Sequence, residues 1–165
     1  MRLIPTLAAL LALATPAAAA TTADENAAIN TVQRFFDAMA SQDAATLSAI
    51  TIPASVYTSI RPAPGGTTKI NRVTVEDFIK NLRPGLQETM WAPRVHVRAG
   101  LMATVTAPYE FKLDGKITHC GIDVFDLAKV DGQWKIAAAT WTAEADACAE
   151  LKIQRPEPAP APQNK

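Results

Sequence analysis

Apolar residues recur at three- and four-residue steps early in the chain: Ala28, Val32, Phe35, Phe36 and Met39 mark one stripe, predicting a helix over 24–40. Thr22 or Asp24 stands where its cap belongs. Ser41-Gln42-Asp43 interrupts the stripe, and Asp43 caps a shorter helix that carries Leu47 and Ile50 and is closed by Pro53. The period then changes from helical to two. Residues 55–61 (SVYTSIR) alternate with β-branched and aromatic side chains, as a strand does, and Pro62, Pro64, Gly65 and Gly66 turn the chain into a hairpin partner, TTKINR. A third helix follows, with Thr74 as cap, Asp77 three residues on, and Phe78, Ile79 and Leu82 inward, until Arg83-Pro84-Gly85 ends it.

Everything after Trp91 reads as strand. Val95 and Val97 alternate with Arg94, His96 and Arg98. Leu101, Ala103, Val105, Ala107, Tyr109, Phe111 and Leu113 then keep period two without a break. Asp114-Gly115 and Asp131-Gly132 are hairpin turns. Helices first and a long antiparallel meander afterwards make the expected class α+β.

The two ends of the chain carry a different pattern. Arg2 and the apolar run Leu3 to Ala14 precede TPAAAATT, the composition of a secretory leader cut after Ala20. The apolar run is short for a bilayer span, so the expected product is periplasmic or secreted, with no membrane attachment after cleavage. At the other end RPEPAPAP sets proline at every second position, which neither a helix nor a central strand accepts. The organisation expected is a signal peptide over 1–20, one domain over 21–151 and a proline-rich disordered tail over 152–165.

Charge adds an exclusion. Lys plus Arg and Asp plus Glu number 16 each, and no basic cluster is interleaved with aromatics, so nucleic acid is not an expected partner. Export changes how the cysteines read: in an oxidising compartment Cys120 and Cys148 are expected to pair, closing a loop of about 28 residues that contributes about 2–4 kcal/mol. Two cysteines and two separated histidines, His96 and His119, match no zinc spacing. No metal and no cofactor is expected, and phosphate loops, serine elbows and nucleotide fingerprints are not found in the sequence.

The run ITHCGIDVF holds the densest candidate chemistry. With a two-residue turn at Asp114-Gly115, Leu113 opposes Lys116, and the same register sets Glu110 across from His119, Thr106 across from Asp123 and Tyr109 across from Cys120. Period two then gives His119 and Asp123 one face and Cys120 the other. That separates His119 from Cys120 and argues against a cysteine hydrolase. His119 with Glu110 or Asp123 forms a candidate acid–base pair; the plainer alternative is a polar face with a cross-strand pair worth about 0.2–1 kcal/mol. Pro108 opposite Gly121 points to a bulge or bend that would break this parity. Tyr57, Trp91, Tyr109 and Trp141, with His119 and Asp123, are the ligand-binding candidates, set against an ordinary core role for the aromatics.

AAINTVQRFFDAMASQDAATLSAI resembles the opening of nuclear transport factor 2-like domains, and residues 91–142 are similar to exported bacterial members labelled SnoaL-like or lumazine-binding-like. TVTAPY (104–109) and Leu113 to Phe125 carry most of the match, which covers about residues 24–143. The resemblance implies a cone: a curved antiparallel sheet with three helices packed on its concave side, a cavity between them, and a homodimer formed through the open sheet face. The superfamily includes steroid isomerases, polyketide cyclases, scytalone dehydratase and non-catalytic binding domains. The Tyr and two Asp of the steroid isomerases do not map onto matching positions here. The reading that follows is a domain that binds a small, partly apolar molecule, more binding protein than enzyme. The alternatives are a cofactor-free isomerase, dehydratase or cyclase using a His–carboxylate pair, or a periplasmic interaction module.

Overall fold

A computed structural model describes residues 21–153. The leader at 1–20 and the RPEPAPAP segment lie outside the described residues. Helix α1 (Thr21–Ser41) carries the expected stripe, and Ala28, Val32, Phe35, Phe36 and Met39 are all buried. Asp24 is not its cap, because the helix begins earlier. Its carboxylate instead accepts hydrogen bonds from Lys129 Nζ (2.6 Å) and Trp134 Nε1 (3.3 Å), tying the first turn to the hairpin at Asp131-Gly132. Asp43 caps α2 (Ala44–Ala49) by accepting from Thr46 N, and Thr74 caps α3 (Val75–Lys80) by accepting from Asp77 N.

The strands are β1 (Thr51–Ala63), β2 (Thr67–Thr74), β3 (Leu86–Met90), β4 (Arg94–Arg98), β5 (Met102–Leu113), β6 (Lys116–Val130) and β7 (Gln133–Thr142). They form one sheet in the order β2-β1-β7-β6-β5-β3, with β4 beside the first half of β5. Its β1–β7 pair is parallel, because the helix-bearing segment between them returns β7 alongside β1 in the same direction; every other pair is antiparallel. The expected α+β cone is therefore built on a mixed sheet. Asp114-Gly115 and Asp131-Gly132 have φ of 51° and 75°, and 51° and 77°, the left-handed pair that a two-residue hairpin of type I′ requires.

Two apolar clusters occupy the two sides of this sheet. The larger packs α1, α2 and α3 on the concave face, with Leu47, Ile50, Tyr57, Val105, Phe125 and Leu127 among its buried members. The smaller holds Trp91, Cys120 and Leu151 on the convex face under a fourth helix, α4 (Cys148–Ile153). The sequence pattern does not predict α4, which is one and a half turns long and is held by tertiary contacts rather than propensity. Cys120 and Cys148 form the expected disulfide at its start. The helix runs two residues past the expected domain end, and it occupies part of the face through which the resemblance implies a second copy. Among the described residues no helix is long and apolar enough to cross a membrane.

Candidate functional site

Between the concave face and α1 and α3 lies a cavity of about 210 Å³. Phe35 forms the aromatic hub of its wall, with ring centroids 5.7 Å from Tyr57, 5.6 Å from Phe78 and 5.7 Å from Phe125. These edge and stacked contacts hold the wall rigid. Tyr57, Tyr109, Asp123 and Phe125 are buried, whereas Arg61 and Arg83, which also line the cavity, are exposed. The arginines therefore stand at the mouth and the carboxyl group of Asp123 lies inside.

Strand register decides who faces this space. The turn opens as expected, with Leu113 opposite Lys116 and Lys112 opposite Ile117. Thr118 is then an extra residue, and from there the ladder slips by one: Phe111 opposes His119, Glu110 opposes Cys120, Tyr109 opposes Gly121 and Ala107 opposes Asp123. The bulge sits ten residues from the Pro108 that signalled it, so the expected pairings Glu110–His119, Tyr109–Cys120 and Thr106–Asp123 are not formed. His119 and Asp123 do share a face with Tyr109, and Cys120 is on the other.

Of the candidates, Tyr57, Tyr109, His119, Asp123 and Trp141 line the cavity. Glu110 and Trp91 do not. Glu110 lies on the convex face, where its carboxylate is paired with Lys112 Nζ at 3.1 Å and with Lys152 Nζ. Burial pushes its carboxyl up, but these two ammonium groups hold it below the usual carboxylate range. Trp91 follows β3, its indole N–H donates to Leu151 O at 3.3 Å, and it packs under α4.

Glu88, Arg61 and Arg83 belong to the cavity and stand outside the sequence-derived set. Glu88 sits opposite Phe111 in β3, a short edge strand whose only sequence signal is the alternation of Leu86 and Met90 around the glutamate. It meets Asp123 in a carboxyl–carboxyl hydrogen bond, which requires a proton on one of the two. Burial pushes Glu88 up to about 7, against the opposing effect of the bond from Asp123. Asp123 is driven well above its ordinary value, first by burial and then by the charge and hydrogen bond of Glu88. The two titrate as one unit.

His119 is neutral at neutral pH. Burial, and then the positive charge of Arg61, lower its imidazole to about 4. Its ring stacks on Phe111 at 4.8 Å, and Nδ1 is 2.8 Å from Thr118 Oγ1. Tyr109 donates its hydroxyl proton to Thr142 O at 2.7 Å, and burial raises its phenol. Tyr57 OH is buried without a hydrogen-bond partner among the described residues. No three His, Cys, Asp or Glu side chains gather as metal ligands among the described residues. The arrangement offers an aromatic slot with a proton-sharing acid pair inside and cationic groups at its entrance.

Comparison with known proteins bears on the whole of this domain. Residues 23–142 match the family described as "Putative lumazine-binding". The chain belongs to that family. A sequence comparison with curated proteins gives no match. Among solved structures, this member of the lumazine-binding-like family is similar to a nuclear transport factor 2 (NTF2-like) superfamily protein from Salmonella enterica, at 16% identity and a TM-score of 0.59 over 76% of this chain and 94% of that one. It is also similar to the beta subunit of a "putative aromatic-ring-hydroxylating dioxygenase" from Novosphingobium aromaticivorans, at 11% identity and a TM-score of 0.62 over 76% and 92% of the two chains. A "putative ketosteroid isomerase" from Shewanella frigidimarina aligns at 21% identity and a TM-score of 0.53 over 72% and 96%. At these identities the likeness is one of fold, the cone fold of nuclear transport factor 2-like proteins.

Proposed function

We propose that this is an exported binding domain whose cone cavity takes a small, flat, largely apolar molecule with polar atoms at its inner end. One observation carries the reading. An aromatic cavity contains a buried hydroxyl, Tyr57 OH, that no other described residue satisfies, beside the proton-sharing pair of Glu88 and Asp123. Burying such a group unpaired costs about 1–3 kcal/mol, a cost that a ligand with matching donors or acceptors removes. The volume, about 210 Å³, lies below the roughly 300–1,000 Å³ of drug-sized pockets, so one or two rings fit. The family description, with its reference to lumazine, a fused two-ring heterocycle, supports the same size and shape. Export is supported by the leader pattern and by the Cys120–Cys148 disulfide, a bond kept in oxidising compartments.

The test is a titration of isotope-labelled protein with lumazine and with 2-naphthamide, a neutral two-ring probe. Amide shifts confined to residues around Tyr57, Tyr109, Asp123 and Trp141, with a rise in melting temperature, are expected. Shifts absent for both probes, or restricted to the α4 side, would sink the reading.

The Glu88–Asp123 pair favours a second reading, an acid–base enzyme without a cofactor. A carboxyl group brought to about 7 exchanges protons efficiently near neutral pH. Exchange of the hydrogens beside the carbonyl of 2-tetralone in deuterated water, followed by NMR, tests it. Exchange no faster than in buffer, or unaltered by Asp123→Asn, leaves a binding domain only.

A further inference from the structure

The electrostatics of the cavity are unequal along its depth. Inside, Asp123 is held in its protonated form by burial and by Glu88, and His119 is neutral, so neither brings a full charge to the space at neutral pH. At the mouth stand two guanidinium groups, Arg61 at the end of β1 and Arg83 after α3. Neither has an ion-pair or hydrogen-bond partner among the described residues. Glu88, the other acid of the lining besides Asp123, is engaged with Asp123 instead. The field of Arg61 reaches inward, since it disfavours protonation of His119 and eases ionisation of Tyr109.

A guanidinium beside water alone is unremarked on a protein surface. Two of them bordering an aromatic slot in which Asp123 holds a proton are an anion-selecting entrance, because arginine offers a planar fork of donors that matches a carboxylate. The walls of the cavity include the rings of Trp141, Phe111, Phe78 and Phe35.

We infer that the ligand is a monoanionic amphiphile, a one- or two-ring aromatic or alicyclic carboxylate whose charged group sits on Arg61 and Arg83 while its ring body enters the slot. A polar atom on the far side of the ring would meet the unpartnered hydroxyl of Tyr57. This deepens the binding reading above and rests on it.

Two probes of one shape separate the two claims: 2-naphthoate, which carries the charge, and 2-naphthamide, which does not. Calorimetric titration of each into the disulfide-bonded protein at pH 7 gives the ratio of their dissociation constants. Naphthoate is expected to bind about tenfold more tightly or better, the size of one charge-assisted hydrogen-bonded pair. In the double variant Arg61→Gln, Arg83→Gln the ratio is expected to fall to about unity. Both arginines are exposed, so the fold does not depend on them. Equal affinity of the two probes for the unaltered protein overturns the anionic ligand and leaves the cavity reading standing. A preference that survives in the double variant overturns the role of these arginines. Binding of neither probe removes both claims together.

Discussion

Glu110 and Asp123 lie on neighbouring strands, are 8% and 3% exposed, and titrate in opposite directions. The difference is the face of the sheet. On the convex face Glu110 meets Lys112 and Lys152, Trp91 meets Leu151 O, and Cys120 is bonded to Cys148. On the concave face Asp123 meets another acid, and Tyr57 OH meets nothing. A satisfied polar group adds stability; one left short is tolerated where something else completes it. The convex face of β5 and β6 reads as a fastening and the concave face as a site.

The largest expected effect is on the fastening. Replacing both Cys120 and Cys148 with Ser should lower unfolding free energy by about 2–4 kcal/mol in a urea titration, through the freed loop. The imidazole titration of His119 should stay in place. A displaced His119 signal would show that the two faces are coupled through β6 and would break the comparison.

Next is the pH dependence, where two groups of the concave face act in opposite directions. Glu88 titrates near 4.5 when unfolded and near 7 when folded, so the folded protein binds the extra proton between those values. Its contribution is fully present below pH 4.5 and is lost as pH rises through 7. His119 has the opposite sign: 6.5 unfolded and about 4 folded, so stability falls as pH drops from 6.5 toward 4. Urea unfolding across pH 4 to 8 should therefore show the two slopes opposing. The double variant Glu88→Gln, Asp123→Asn should lose the decline toward pH 7, and His119→Gln should lose the rise from pH 4. A profile that the double variant leaves unchanged would mean the acids are solvated.

A matched pair of tyrosines sharpens the contrast further. Tyr109→Phe removes the bond to Thr142 O and should cost about 0.5–1.5 kcal/mol, whereas Tyr57→Phe removes a hydroxyl without a partner and should leave stability equal or higher. Thermal melts of both variants decide; equal losses would mean Tyr57 has a partner after all. The smallest effect is expected from Lys152→Met, whose ammonium is partly exposed. Its loss should be about 0.5 kcal/mol in a denaturant titration, with Lys112 still holding Glu110. A cost several times larger would place the ion pair among the main fastenings of α4.

The sequence pattern carried the fold because its signals were local. The α1 stripe, the Asp43 and Thr74 caps and the two Asp-Gly turns are each legible within a few residues. The site was half legible for the same reason. Parity along β6 puts His119 and Asp123 together whatever β5 does, but the cross-strand pairing of Glu110 depended on a register that Thr118 interrupts. A bulge leaves no mark in a hydrophobic pattern where Lys, Ile, Thr and His follow one another. Glu88, Arg61 and Arg83 were illegible for another reason: they reach the cavity through pairings between distant segments. The α4 helix became visible only with the partner that holds it.

Gly121 has a bearing on how this site could be rewritten. A Cβ there would stand 2.0 Å from Thr142 O, the carbonyl that also receives the Tyr109 hydroxyl, while Thr142 Oγ1 accepts from the neighbouring Ile122 N–H. Codon 121 is thus confined to one amino acid, and codon 120 is tied to its sulfur partner. Codons 119 and 123, on either side, end in the cavity and touch no backbone that another strand depends on. A library spread evenly over ITHCGIDVF would be mostly dead; one confined to 119 and 123 changes the ligand surface and leaves the Cys120 and Gly121 contacts in place.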